Sequence, residues 1–112
     1  MICNHLQVVL VPFPFMERPA AKRRPALVLS KKEFNSDNNH SIMAMITTAK
    51  SSQWHSDYKL SNPTLAGLKV DCYVRWKIFT LPNSLIVRLI GELAEEDQKV
   101  LMEKSRIIFI RD

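Results

Sequence analysis

The clearest structural signal in the chain is Val8-Val9-Leu10-Val11-Pro12-Phe13-Pro14-Phe15, followed after a polar loop by Lys22-Arg23-Arg24-Pro25-Ala26-Leu27-Val28-Leu29-Ser30. The apolar part of each stretch predicts a β-strand, at Gln7–Phe13 and Ala26–Ser30, because runs of Val and Leu bounded by turn residues favour extended backbone. Pro25 fixes the backbone where the second strand begins. Three cations precede that strand, so the sequence predicts a basic cluster at its entrance that suits a phosphate group.

Further apolar segments predict a small β-barrel closed by a C-terminal helix, in one domain over residues 1–112. Between the second and third strands, the polar run Asn35–His40 predicts a turn. Gly91 marks a bulge or a bend in the last strand. The helix is expected to pack on the barrel through one apolar face, bridged by the alkyl stem of a lysine. The predicted elements are strands at Ser41–Thr47, Tyr58–Leu60, Lys69–Phe79 and Leu85–Leu93 and a helix from Ala94 to about Ile108, whose packing face comprises Val100, Leu101, Lys104, Ile107 and Ile108.

The charge balance favours an anionic partner. Sixteen Lys and Arg residues stand against eleven Asp and Glu residues, for a formal net charge of +5 at pH 7. Nucleic acid or an acidic protein would be attracted to such a chain, although many small proteins are this basic for solubility alone. No apolar run approaches the roughly 20 residues that a membrane span needs, and the first residues lack the features of a signal peptide. We therefore expect a cytoplasmic protein that contacts no membrane.

The cysteines and histidines are too scattered to predict a metal site. Cys3 and Cys72 do not form a Cys-x-x-Cys spacing and are expected to be buried thiols rather than a disulfide. The histidines His5, His40 and His55 stand at no interval typical of metal ligands. The sequence therefore predicts neither a bound metal nor another cofactor.

Four short motifs, in order along the chain, resemble those of the MazF/PemK family of toxin endoribonucleases. They are Arg-Arg-Pro-Ala-Leu-Val-Leu-Ser at 23–30, Ala-Met-Ile-Thr-Thr at 44–48, Gly-Leu-Lys-Val-Asp-Cys-Tyr-Val-Arg at 67–75 and Ile-Gly-Glu-Leu at 90–93. Each motif is weak alone, but the resemblance extends from about Gln7 to Ile108. It implies an SH3-like antiparallel β-barrel, mainly β with α, that forms a two-fold homodimer. It also implies metal-free cleavage of single-stranded RNA and neutralisation by an acidic antitoxin protein.

Metal-free cleavage of RNA uses the neighbouring 2′-hydroxyl as nucleophile, so the site needs a cation, a proton acceptor and a proton donor. The resemblance gives the cationic role to Arg24, whose planar guanidinium can hold two phosphate oxygens. It also implies catalytic roles for Thr47 and Arg75. Thr48 is the alternative to Thr47 if the register is shifted by one residue. Taken without the resemblance, a strand threonine with no chemical role is the more ordinary interpretation.

The identity of the general base stays open because the chain departs from the family pattern. In one branch of the family the third motif continues as Arg-x-Asp, with the Arg as general acid and the Asp as general base, whereas this chain has Arg75-Trp76-Lys77. A lysine cannot replace an anionic base at neutral pH unless burial lowers its pKa by several units. Phe79 also stands where the family commonly has an arginine. The remaining candidates for the base are Asp71, Glu17 and His55.

Loops and strand ends supply candidate RNA contacts. Phe15 and Trp54 lie in polar loops, where an aromatic ring can stack on an unpaired base, whereas Phe13 and Trp76 are expected in the core or in a dimer contact. The cations that precede the second strand are equally compatible with a solvated surface. The candidate polar contacts with phosphates and base edges are Lys22, Arg23, Thr48, Lys50, Ser51, Ser52 and Lys77.

A non-enzymatic function is the alternative. SH3-like barrels also bind proteins or nucleic acid, and a related toxin type poisons a topoisomerase instead of cutting RNA. That function does not need a paired Arg24 and Thr47. The lysine at position 77 favours this alternative, whereas Arg24 followed by Pro25, together with Thr47, favours the nuclease.

Overall fold

The structure, a computed structural model, describes residues 1–13, 22–48 and 53–110. They form a six-stranded antiparallel sheet and two helices, with a 3-10 turn at Asn83–Leu85. The strands are β1 Gln7–Phe13, β2 Lys22–Val28, β3 His40–Thr47, β4 Tyr58–Lys59, β5 Tyr73–Pro82 and β6 Arg88–Glu92, and the helices are α1 Lys32–Asn38 and α2 Glu95–Phe109. The strand order in the sheet is β4-β5-β3-β2-β1-β6, so β4 and β6 are the two edges.

Two glycines bring these edges together. A Cβ on Gly91 would lie 2.3 Å from the carbonyl carbon of Ala66, and a Cβ on Gly67 would lie 2.1 Å from the carbonyl oxygen of Ile90. Gly67 also has a φ of +83°, which side chains with a Cβ rarely adopt. The segment after β4 therefore contacts β6 backbone to backbone and curls the sheet into a half-barrel. The predicted fold class, mainly β with a C-terminal helix, is confirmed.

Strand pairing sets the limits of the strands. β1 has the predicted bounds, but β2 begins at Lys22 rather than Ala26 because it continues to pair with β1 as far as Phe13. Pro25 therefore lies inside β2 and does not start it. Its missing N–H is tolerated there because the pairing of β2 with β3 begins only at Ala26.

The last two strands also differ from their predicted bounds. β5 pairs with β3 from Tyr73 to Pro82, so it begins and ends later than the predicted Lys69–Phe79. The 3-10 turn takes up the start of the predicted Leu85–Leu93, which leaves β6 as Arg88–Glu92. The pairing of β1 with β6 shifts its register next to Gly91, so the predicted irregularity at Gly91 is confirmed.

The predicted turn over Asn35–His40 is wrong, because residues Lys32–Asn38 form helix α1. Asn35 is fully buried, and its side-chain amide donates to the carbonyl of Cys3 at 3.0 Å. The helix ends at Asn39, which has a left-handed φ of 54°. Asparagine is the commonest residue after glycine in that conformation. The turn-forming residues of the sequence therefore serve here as a buried anchor and as a helix cap.

Helix α2 covers one face of the sheet with its first half. Leu101 and Asp97 are buried, and the Asp97 carboxylate accepts hydrogen bonds from the Tyr58 hydroxyl at 2.5 Å and the Ser61 N–H at 3.1 Å. Of the predicted packing face, Leu101 is buried and Lys104 half-buried, but the prediction is wrong for Val100, Ile107 and Ile108, which are exposed. The buried carboxylate fixes the rotation of the helix, which turns those residues towards solvent. The core under α2 comprises Leu6, Val8, Leu27, Ala44, Ile46, Leu60, Ala66, Leu68, Cys72, Val74, Trp76, Leu93 and Leu101.

A second core lies on the opposite face of the sheet, which we call the site face. It comprises Cys3, Val9, Val11, Ala26, Val28, Met43, Leu81 and Ile86. Both cysteines are buried free thiols, as predicted. Among the described residues, no helix is long and apolar enough to cross a membrane.

Candidate active site

A pocket of about 220 Å³ opens on the site face where β1, β2 and β3 end near one another. It brings together Arg24 and Thr47, two of the three residues predicted to be catalytic. The guanidinium carbon of Arg24 lies 5.5 Å from the centre of the Phe13 ring, a distance at which a cation is attracted to an aromatic face. The pocket is lined by Val11, Phe13, Arg24, Pro25, Met45, Ile46, Thr47 and Phe79.

Strand register explains why these residues meet. Val11 stands opposite Arg24 across β1 and β2, and Ala26 stands opposite Met45 across β2 and β3. Side chains alternate along a strand, so residues two apart share a face. Arg24 is two residues before Ala26, and Thr47 is two residues after Met45, so all four lie on one face. Thr47 is the last residue of β3, as predicted, and is half-buried in the pocket wall.

The same alternation separates the other basic residues of β2. Lys22 pairs with Phe13 and lies on the face of Arg24, whereas Arg23 pairs with Pro12 and lies on the other face. Both are exposed. The three consecutive cations therefore form no single cluster, and the pocket includes only Arg24 among them. Thr48 follows the end of β3 and is exposed outside the pocket lining.

Arg75, the third predicted catalytic residue, lies on β5 outside the pocket lining. It pairs with Met45 across β3 and β5, so it shares the site face with Thr47. Its side chain is 10% exposed and donates to the Asp57 carboxylate from Nε at 3.1 Å and from a terminal nitrogen at 2.9 Å. These bonds hold the pKa of Asp57 below its ordinary value and raise the pKa of Arg75, because each charge is stabilised by the other.

Asp57 is the acidic neighbour of Arg75 that the sequence analysis missed. It reaches Arg75 from the loop before β4, so no spacing within the Arg75-Trp76-Lys77 motif could indicate it. Its carboxylate also accepts a hydrogen bond from the Trp54 N–H at 3.0 Å. The side chain is only 5% exposed.

The two described candidates for the general base, Asp71 and His55, are not in the pocket lining. Asp71 is exposed and lies 3.5 Å from Lys59 in an ion pair. His55 is exposed on the turn between Trp54 and Asp57, and Glu17 lies outside the described residues. Lys77 is exposed where the register of β5 against β3 shifts, away from the pocket lining.

The aromatic predictions have different outcomes. Trp54 is 43% exposed, and the guanidinium carbon of Arg75 lies 5.5 Å from the centre of its ring. Trp76 is buried, as predicted, but Phe13 lies in the pocket wall and not in the core. The alternation Val9, Val11, Phe13 along β1 was the signal that could have placed it on the face of Arg24. The predicted contacts Phe15, Lys50, Ser51 and Ser52 lie outside the described residues.

Phe79 forms part of the pocket wall as well. The position at which the sequence resemblance led us to expect an arginine therefore contributes an apolar ring to the pocket wall. In the part of the chain that is described, no group of three or more His, Cys, Asp and Glu side chains is placed to hold a metal ion.

Comparison with known protein families identifies the family of the chain. A sequence model of the PemK-like, MazF-like toxins of type II toxin-antitoxin systems matches residues 4–109, nearly the whole chain. The chain belongs to this toxin family. The resemblance carried by the four motifs is thus confirmed, and the topoisomerase-poison alternative is not favoured. The comparison with curated protein sequences gives no match.

Solved structures share the fold of this MazF-like chain. A MazF toxin from Deinococcus radiodurans, in a structure with MazE, has a TM-score of 0.72 at 16% identity, and the alignment covers 96% of each chain. A MazF toxin from Mycobacterium tuberculosis has a TM-score of 0.71 at 19% identity over 95% of this chain and 98% of its own. A mycobacterial endoribonuclease in complex with its cognate antitoxin has a TM-score of 0.69 at 16% identity over 95% and 91% of the two chains.

Proposed function

We propose that this MazF-like toxin is an endoribonuclease that cleaves single-stranded RNA without a metal ion, by attack of a 2′-hydroxyl on the adjacent phosphorus. The observation that carries the proposal is the shared pocket of Arg24 and Thr47. A permanent cation and a hydroxyl on one concave surface can hold a phosphodiester and the sugar hydroxyl beside it. Membership of the toxin family supports the same activity.

In this proposal, Arg24 neutralises the charge that grows on the phosphorane. Its guanidinium rests against Phe13, a contact that limits the conformations of the side chain next to the pocket. Such preorganised positive charge is usually the largest single contribution to catalysis of this kind. Thr47 holds the 2′-hydroxyl or a phosphate oxygen by a hydrogen bond.

We assign Arg75 a positioning role instead of the proton-donating role implied by the resemblance. Its raised pKa makes loss of a proton more costly, and two of its nitrogens donate to Asp57. Asp57 is a poor general base for the matching reason, since its pKa is lowered and its carboxylate is nearly inaccessible to solvent. Removal of the proton from the 2′-hydroxyl and protonation of the leaving 5′-oxygen are both left to solvent or to residues outside those described.

The proposed partners are RNA, an acidic antitoxin and a second copy of the chain. The net charge of +5 favours both anionic partners, and two of the structural neighbours are toxins bound to MazE or to a cognate antitoxin. An acidic antitoxin segment that covers Arg24 would compete directly with RNA.

Cleavage of a mixed-sequence RNA in the presence of EDTA tests the proposal. Wild-type protein should cut single-stranded RNA, leave DNA intact, and produce ends with a 2′,3′-cyclic phosphate and a 5′-hydroxyl. RNA with methylated 2′-hydroxyls should resist cleavage. A requirement for Mg²⁺, or cleavage of DNA, would contradict the mechanism.

Arg24→Ala should lower the cleavage rate roughly 100-fold or more, because one charge-assisted contact in the transition state is lost. Arg88→Ala is the matched control. It removes the same charge from an exposed position on β6 that pairs with Leu10, which neighbours Val11 and therefore faces away from the pocket. Equal rates for the two variants would remove Arg24 from the site.

A further inference from the structure

The turn from Trp54 to Asp57 is held by hydrogen bonds within the turn and by an ion pair with strand β5. The Asp57 N–H donates to the Trp54 carbonyl at 3.0 Å, and the Trp54 N–H donates to the Asp57 carboxylate at 3.0 Å. Both ends of the turn are therefore joined twice, by the backbone and by the side chain of Asp57. The same carboxylate accepts hydrogen bonds from two nitrogens of Arg75, and these bonds attach the turn to strand β5.

This arrangement places the Trp54 ring against a buried cation while leaving much of the residue exposed. One side of the indole faces the Arg75 guanidinium, with 5.5 Å between the guanidinium carbon and the ring centre. Trp54 is nevertheless 43% exposed. Contact with Arg75 therefore leaves a large part of the residue uncovered. A large aromatic ring held rigid and half-exposed loses little conformational entropy when a flat ligand stacks on it.

The turn also lies beside the proposed catalytic pocket. Arg75 pairs with Met45, and Met45 lines the pocket together with Arg24 and Thr47. Neighbouring strands are about 4.8 Å apart, so Arg75 on β5 stands next to the pocket wall formed by β3. The turn is therefore within reach of an RNA strand whose phosphate is held at Arg24.

On this basis we propose that Trp54 is a stacking platform for one unpaired nucleobase of the RNA substrate, and that the Asp57–Arg75 ion pair positions its ring. The inference rests on the proposed function and assigns a base subsite to the same RNA-binding surface. Stacking does not depend on the pattern of hydrogen-bonding groups on a base, so the platform tolerates different bases. It contributes to affinity and register and does not take part in bond cleavage.

Binding of a 2′-O-methylated single-stranded oligonucleotide, which cannot be cleaved by this mechanism, measures the platform separately from catalysis. Trp54→Ala should weaken binding by roughly 5- to 150-fold, the range expected for one base stacked on an aromatic ring. Trp54→Phe should retain most of the affinity. Phe34→Ala is the matched control, since Phe34 is 41% exposed but lies on α1, at the other end of β3.

Two further measurements distinguish stacking from a purely structural role. The salt dependence of binding should be the same for Trp54→Ala and wild type, because stacking releases no counterions, whereas Arg24→Ala should reduce the slope by about one phosphate contact. A single abasic site moved along the oligonucleotide should weaken wild-type binding at one position and have no effect there on Trp54→Ala.

Asp57→Asn tests the positioning role. It should weaken binding in the wild-type background and cause little additional loss in the Trp54→Ala background, because two residues that act through one contact are not additive. Wild-type affinity for Trp54→Ala, in protein that binds and cuts RNA normally, would overturn the platform and leave the proposed function intact. Failure of wild type to bind RNA at all would overturn both.

Discussion

Two arginines of the site differ in what surrounds them, and this difference decides what each can do. Arg24 is exposed and rests on an aromatic ring, so its N–H groups can meet a phosphate without breaking an ion pair among the described residues. Arg75 is buried and bound to Asp57, and removing it from that partner would leave a buried carboxylate unpaired. The exposed Arg24 can stabilise the charge that develops during a reaction. The buried Arg75, paired with Asp57, supports its surroundings instead.

The Thr47 hydroxyl in the pocket is expected to contribute to the cleavage rate through one hydrogen bond. Thr47→Val keeps the shape of the side chain and removes its oxygen, so the cleavage rate should fall clearly but less than for Arg24→Ala, by roughly 10-fold for one hydrogen bond of about 1.4 kcal/mol. Single-turnover kinetics with saturating protein is the measurement.

Thr48→Val is the control for Thr47→Val, because Thr48 is exposed and outside the pocket lining. Its cleavage rate should stay close to wild type. If Thr48→Val were the more damaging change, the assignment of the site threonine would be wrong by one residue.

At the level of secondary-structure elements, one hydrogen bond joins β4 to α2. The Tyr58 hydroxyl donates to the buried Asp97 carboxylate, and the burial of Tyr58 together with this bond raises its pKa to about 12 from an ordinary value of 10.0. A carboxylate near the start of a helix is also favoured by the helix dipole. This contact fixes both the position and the rotation of α2.

The raised pKa predicts how stability changes in alkaline solution. Between pH 10 and about 12, Tyr58 keeps its proton in the folded chain and loses it in the unfolded chain, so the free energy of unfolding falls as pH rises. Tyr58→Phe should be less stable than wild type by about 1–2 kcal/mol at pH 7 and should show a shallower decline above pH 10. Urea titrations across this pH range measure both effects.

Tyr73→Phe is the matched control for Tyr58→Phe, since Tyr73 neighbours Val74, which pairs with Tyr58, and therefore lies on the opposite face of the sheet from Tyr58. It should preserve the alkaline decline of wild type. Equal slopes for wild type and Tyr58→Phe above pH 10 would contradict the assigned role of Tyr58.

At the scale of the whole molecule, the last turns of α2 carry an apolar surface that the sheet does not cover. Met102, Ile107, Phe109 and Ile110 are each more than half exposed, and large exposed apolar patches mark interaction sites on proteins. Ile107 is 61% exposed, although the sequence pattern predicted that it packs on the barrel. A second copy of the chain is the partner that the toxin family leads us to expect.

This surface predicts the effect of a charge on assembly. Wild-type protein should have a molar mass in solution of twice 12.9 kDa, and Ile107→Glu should shift it towards 12.9 kDa, because a carboxylate cannot be buried there without a partner. Val70→Glu is the control, since Val70 is similarly exposed at 58% but lies in the loop before β5. Size-exclusion chromatography with light scattering gives the masses, and an unchanged dimer for Ile107→Glu would exclude this surface.

Much of the fold was determined by local sequence. The apolar run Gln7–Phe13, the alternation through Val74 and Trp76, and the change to helical periodicity after Leu93 each specify an element without reference to the rest of the chain. The motif around Arg24 and the threonine that ends β3 were likewise visible, because residues next to one another in sequence stay next to one another in a strand.

Tertiary structure alone decided which of these residues meet. Phe13, Arg24 and Thr47 share a pocket because three strands place them on one face, and Asp57 reaches Arg75 across a gap in sequence that no local pattern records. The helix over Lys32–Asn38 formed against its turn-like sequence because Asn35 could be buried with its hydrogen bonds satisfied. The physical reason is the same in each case. Local preferences are worth a fraction of a kcal/mol per residue, whereas a buried polar or charged group must find its partner wherever the fold supplies one.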